Sequence, residues 1–151
     1  MNKKSIIKGY EARLNQLTSG IIVRIERPWD KCCCSVLQNN HYLHKAKSKL
    51  TKWCPLNIFC GTRDANFRNE SEPSYMREWF LTRYGADIDI ALTRFANSPY
   101  KLTLSDYEKL EGFWVMGLGF KTRREMEKAW FTFDILPGQE ELKKAWEKLH
   151  E

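Results

Sequence analysis

Apolar residues recur at helical spacing along most of this chain, with strand-like alternation only in its N-terminal third. Ile6, Ile7, Tyr10, Leu14 and Leu17 fall within about 100° on a helical wheel, which predicts a first helix ended by Thr18-Ser19-Gly20. Ile21 to Arg27 is β-branched and partly alternating, and predicts a strand. Pro28-Trp29-Asp30-Lys31 supplies a turn, and Cys32 to Leu37 the returning strand of a hairpin. Tyr42, Leu43, Ala46, Leu50 and Trp53 then form one stripe, so residues 41–53 read as a helix that Pro55 prevents from continuing past Cys54. Leu56 to Cys60 reads as a third short strand, and Gly61 to Ser71 as a polar loop.

The second half reads as helices joined by short turns. Pro73, after Ser71 or Glu72, opens a helix carried by Tyr75, Met76, Trp79 and Phe80, and Gly85 closes it. Asp87 caps the next, with Ile88, Ala91, Leu92 and Phe95 on its face. Ser105 with Glu108, and Thr122 with Glu125, have capping-box spacing. Pro137-Gly138 precedes a last helix built on Leu142, Ala145, Trp146 and Leu149. The prediction is an α-rich α+β fold in a single domain, residues 1–151. A small N-terminal antiparallel hairpin or sheet (about 21–37, with 56–60) packs against five to seven helices.

Composition agrees with a packed fold. At 151 residues, 42% hydrophobic and 13% aromatic, the chain can bury a core and does not resemble a disordered segment. No apolar run reaches the roughly 18 residues that span a bilayer. Met1 to Gly9 starts like a signal peptide, but its apolar stretch is Ile6-Ile7 before Lys8, so a cytoplasmic location is expected. The five cysteines, three of them consecutive (Cys32, Cys33, Cys34), fit free thiols better than a disulfide framework.

Charge changes the picture more. Residues 1–68 carry thirteen Lys/Arg against four Asp/Glu, whereas residues 69–151 carry twelve against fifteen. A one-sided positive field attracts polyanions. It concentrates on the predicted helix at 41–53, where Lys45 and Lys52 share a face with His41 and His44, Lys47 and Lys49 border it, and no acid occurs. Lysine on such a face contacts phosphates without choosing sequence. Arg24, Arg27 and Lys31 surround Trp29 in the predicted turn, where an exposed indole could stack on an unpaired base. The other tryptophans sit on apolar stripes and read as core.

Three further constellations carry weaker signals. Cys34, His41, His44, Cys54 and Cys60 offer zinc-ligand chemistry, but without the two-to-four-residue spacing of strong sites, and buried free thiols explain them better. Residues 105–133 have helix–turn–helix spacing with Arg123, Arg124 and Lys128 on the second helix, opposed by Glu125 and Glu127. Asp87 and Asp89 could be half of a metal site. No nucleophile elbow, phosphate loop or zinc-protease motif occurs, so neither catalysis nor a cofactor is expected.

The sequence therefore points to a small intracellular protein that binds DNA or RNA through Arg24, Arg27, Trp29, Lys31, Lys45, Lys47, Lys49 and Lys52. The alternative is an inhibitor or adaptor of the phage or mobile-element accessory type, docking on a host nucleic-acid enzyme. A zinc-stabilised module is the third reading. No membrane partner is expected.

Overall fold

The computed structural model describes residues 2–30, 36–44, 47–72 and 74–151. It shows an α-rich α+β architecture: eight α-helices among the described residues and one two-stranded antiparallel sheet.

Helix α1 (Lys3–Ile25) is longer than the sequence pattern predicts and absorbs the expected strand at 21–27. Asn2 caps it, its side chain accepting from the Ser5 amide at 2.9 Å. Thr18-Ser19-Gly20 does not stop it, because Thr18 is itself buried and bonds its hydroxyl to the Asn15 carbonyl. Leu14, Thr18, Ile21 and Ile22 form one buried stripe at helical spacing. Burial of the two isoleucines outweighs their β preference and the cost of about 1 kcal/mol for a helical glycine. The 21–37 hairpin therefore does not form. Cys32 to Cys34, the body of its second strand, lie outside the described residues.

The sheet pairs β1 (Leu37–His41) with β2 (Ile58–Thr62), Asn39 lying opposite Cys60. Strand β2 is buried throughout, close to the third strand the sequence suggests. Its partner is polar: Leu-Gln-Asn-Asn-His has no apolar alternation, and the buried Asn40 replaces it with hydrogen bonds. Asn40 Oδ1 accepts from Trp29 Nε1 at 2.9 Å.

The predicted 41–53 helix shrinks to one turn, α2 (Lys49–Lys52), capped by Ser48. His41 ends β1, and the Tyr42 amide donates to the Asn57 carbonyl at 2.9 Å. Tyr42 stacks on Phe80 with ring centroids 3.7 Å apart, and its hydroxyl donates to Asp89. The Asn57 side chain accepts from the Leu43 amide and donates to the carbonyls of Leu43 and Thr51. These long-range partners hold Tyr42 and Leu43 in a bend after β1, against their helical periodicity.

The expected polar loop at 61–71 is instead helix α3 (Arg63–Ser71), capped by the Thr62 hydroxyl. It buries Ala65 and Asn69, one turn apart, so no apolar stripe announced it. The remaining helices follow the sequence closely: α4 (Ser74–Tyr84), α5 (Ala86–Ala96), α6 (Leu104–Met116), α7 (Arg123–Thr132) and α8 (Glu140–Leu149). Two caps move by a residue or two. Thr103 with Asp106, rather than Ser105 with Glu108, makes the capping box of α6, and Gly85 rather than Asp87 caps α5. Trp53, Trp114, Trp130 and Phe59 lie at the centre of the core.

Candidate nucleic-acid interface

The basic residues that looked continuous in sequence divide around α1. Arg24 is exposed, and its Nη2 donates to the carbonyls of Gly117 (3.1 Å) and Leu118 (3.2 Å) just past the end of α6. They stand at a helix C-terminal end, which a cation suits, and the Gly117 carbonyl also accepts from the Phe120 amide at 3.0 Å. Arg13 lies on the same side and pairs with Glu111 of α6 at 2.7 Å. Arg24 is about 180° around the helix from Asn15, which faces α2. Trp53 Nε1 donates to Asn15 at 3.2 Å, and Lys49 pairs with Glu11 at 3.4 Å.

Trp29 is not a stacking platform. It is 9% exposed, packed against Tyr75 and Trp79, with its indole N–H bound to Asn40. The sequence shows no apolar stripe for it because its contacts come from α4 and β1. Arg27 is exposed just beyond α1. Lys31 and Lys45 lie outside the described residues.

The described residues of the 44–52 segment do gather basic groups, around the single turn of α2 rather than along a helical face. The Lys47 amide donates to the His44 carbonyl at 2.9 Å, and Lys47 and Lys49 are exposed. Lys52 is half-buried, its ammonium 4.8 Å from the Trp53 ring, and its carbonyl meets His41 Nε2 at 2.9 Å. Two clefts share this segment as a wall. One, of about 310 Å³, is polar: α1 contributes Asn15, Thr18 and Ser19, β1 contributes Gln38, Asn39 and His41, and α3 contributes Asn66 and Asn69. His44 and Lys52 complete it. The other, of about 470 Å³, holds Lys47, Lys49 and Lys101 with Tyr100 and Tyr107. No carboxylate among the described residues lines either cleft. Asn66, Asn69, Asn39 and Lys101 are the residues sequence reasoning missed. They are far apart in the chain and carry no pattern.

The other constellations resolve into structure. Cys54 and Cys60 are buried free thiols. Burial pushes Cys54 up to about 12, and burial, with smaller contributions from Glu26 and Asp30, pushes Cys60 up to about 11. Both are protonated at neutral pH. Among the described residues no three His, Cys, Asp or Glu side chains gather to hold a metal. Cys34 lies outside the described residues. Asp89 is buried between the Tyr42 hydroxyl and Arg77, whereas Asp87 pairs with Lys148 at 3.8 Å, so each carboxylate has a separate partner.

Arg123 is not on a DNA-facing surface. Its side chain is 6% exposed, and Nε and Nη2 grip Glu26 at 2.7 and 2.8 Å. Nη1 donates to the Pro55 carbonyl and to Glu127 Oε2, and Nη2 also reaches the Ile58 carbonyl. Glu127, expected to be exposed, is buried as well, accepting from Tyr84 and Trp146. Arg123 instead ties α7 to the end of α1 and to β2, while Arg124 and Lys128 stay exposed.

The chain matches no protein-family model, no curated protein and no solved structure. Among the described residues no helix is long and apolar enough to cross a membrane.

Proposed function

We propose that the protein binds nucleic acid, chiefly through phosphate contacts, along the 44–52 segment and the two clefts beside it. The observation that carries this reading is their composition: Lys47, Lys49, Lys52, Lys101, His41 and His44 line them without a carboxylate among the described residues. The Lys49–Glu11 pair is solvent-exposed on its lysine side, and such pairs contribute at most about 1 kcal/mol, so a phosphate can compete for the ammonium. Arg24 lies towards the other side of α1, against the end of α6, and is not part of this surface.

Anisotropy titrations against single-stranded DNA, duplex DNA and RNA over a range of KCl test the reading. The triple variant Lys47→Glu, Lys49→Glu, Lys101→Glu should weaken binding and reduce the log–log salt slope by about 2 on a single strand, at roughly 0.7 per phosphate contact. Arg27→Gln should change the slope by less than one contact. Triple-variant binding equal to the parent at matched salt and unchanged melting would sink the proposal. The adaptor reading has one observation in its favour, the exposed apolar run Val115, Met116 and Leu118 at the end of α6. A partner retained in pull-downs after nuclease digestion would favour it.

A further inference from the structure

The polar cleft between α1, β1 and α3 contains two side chains whose hydrogen bonding is half complete. Asn69 is 8% exposed, and its Nδ2 donates to the His41 carbonyl at 2.9 Å. That contact fixes which end of the amide is which. Asn69 Oδ1 is buried and accepts no hydrogen bond from the described residues. Asn39 is half-buried, and its Nδ2 donates at 3.1 Å to Thr18 Oγ1, whose own proton goes to the Asn15 carbonyl; its Oδ1 is buried and accepts no hydrogen bond from the described residues. More than nine in ten buried polar groups are satisfied in folded proteins, and each exception is costly. Here the two side chains concerned both line one cleft.

Resting on the phosphate-directed reading above, we infer that this cleft takes one unpaired nucleobase carrying an exocyclic amino group. Two carboxamide oxygens call for two N–H donors. Adenine and cytosine present two on the exocyclic nitrogen, and guanine presents three at its N1 and N2 positions. Uracil and thymine offer a single N–H. A base inside a duplex has this edge engaged, so the occupant comes from a single strand. The cleft volume of about 310 Å³ is at the small end of ligand sites and matches one base better than a larger group. Gln38 and Asn66 supply further carboxamides for ring nitrogens and carbonyls. Lys52, on the same wall, is placed for the adjoining phosphate, while the imidazoles of His41 and His44 offer planar faces for the ring.

The test uses the full chain and free nucleosides at high salt, where phosphate contacts are screened. Cytidine, adenosine and uridine are titrated while the side-chain amide resonances of Asn39 and Asn69 are followed. Cytidine and adenosine should shift both and bind about tenfold or more tighter than uridine, the discrimination expected of one good base-edge pairing. Asn69→Leu should remove that preference. Because Asn69 also holds the His41 carbonyl, Asn66→Ala serves as a second variant that leaves this contact intact and should weaken cytidine. Nucleosides that leave the Asn39 and Asn69 resonances unmoved, or uridine binding as tightly as cytidine, would overturn the inference. In that case salt-dependent binding of polymers would still stand by itself. Selective nucleoside binding without polymer binding would support the cleft chemistry and refute the phosphate-directed reading.

Discussion

Replacing Arg123 with methionine should destabilise the protein severely, and the geometry sets the scale. The substitution keeps an unbranched side chain of moderate length but deletes the close counter-charge for Glu26 and Glu127, whose side chains are 10% and 3% exposed; Glu26 keeps only Arg83, at 4.0 Å. It also strips the Pro55 and Ile58 carbonyls of their guanidinium donors. In the parent all five guanidinium N–H groups are used, on two carboxylates and two carbonyls. Breaking a buried pair by removing one partner costs about 3–5 kcal/mol, because the remaining charge is left without compensation. Two orphaned acceptors push the cost towards the upper end. Against a total stability on the order of 5–15 kcal/mol, that lowers the melting temperature by roughly 6–20 °C for a chain of this size. Thermal unfolding followed by circular dichroism reads it directly. Arg124→Met, one position along and exposed, is the control and should stay within about 2 °C. Arg123→Lys should fall between, since an ammonium keeps the charge but has three donors and no planar fork for Glu26. Adding Glu26→Gln and Glu127→Gln to Arg123→Met should recover part of the loss by removing the uncompensated charges. If Arg123→Met melts within about 2 °C of the parent, the network does not hold α7 to α1 and β2 as described.

Gly61→Ala should be similarly harmful for a steric reason. A Cβ there would stand 2.3 Å from Asn40 Oδ1 and 2.7 Å from Trp29 Nε1, so the Trp29–Asn40 hydrogen bond must break or β1 must shift. A loss of about 2–5 kcal/mol in urea unfolding is expected, and an unchanged midpoint would contradict the packing. The thiols of Cys54 and Cys60, ordinarily near 9.0, are held up to about 12 and 11. Their contribution to stability is therefore complete below about pH 9 and is lost as pH rises through those values. Native protein treated with iodoacetamide at pH 8 should show both unmodified by peptide mass mapping, and denatured protein should show both alkylated. Native labelling of either would mean it is accessible.

How much of this was legible depended on whether an element is stabilised by its own neighbours or by distant ones. Helices α4 to α8 bury stripes that recur every three or four residues, so the pattern that packs them is written locally, with capping residues near each start. The all-helical second half and the α-rich class followed from that alone, as did the burial of Trp114, Trp130 and Trp146. The first half is different. Ile21 and Ile22 became helical because they continue a stripe that packs beside α6, and Gly117 stands next to Ile21. The 41–53 stripe failed as a helix because Phe80, Asp89 and Asn57, none of them local, hold Tyr42 and Leu43 in a bend. Helix α3 was invisible because what it buries towards β1 is an asparagine.

The same division applies to function. Sequence alone determined that positive charge is concentrated in the first 68 residues and that no acid interrupts residues 41–53. Those are properties of composition and survive any fold. Only tertiary structure decided which charges act together: it turned Arg24 towards α6, buried Trp29 and Arg123, and set Lys101 beside Lys47 and Lys49. It alone also assembled carboxamides from α1, β1 and α3 into one cleft and left two of their oxygens without donors among the described residues. Asparagine has no periodic signature to read, because its role is set by whichever hydrogen-bonding group the fold brings opposite it.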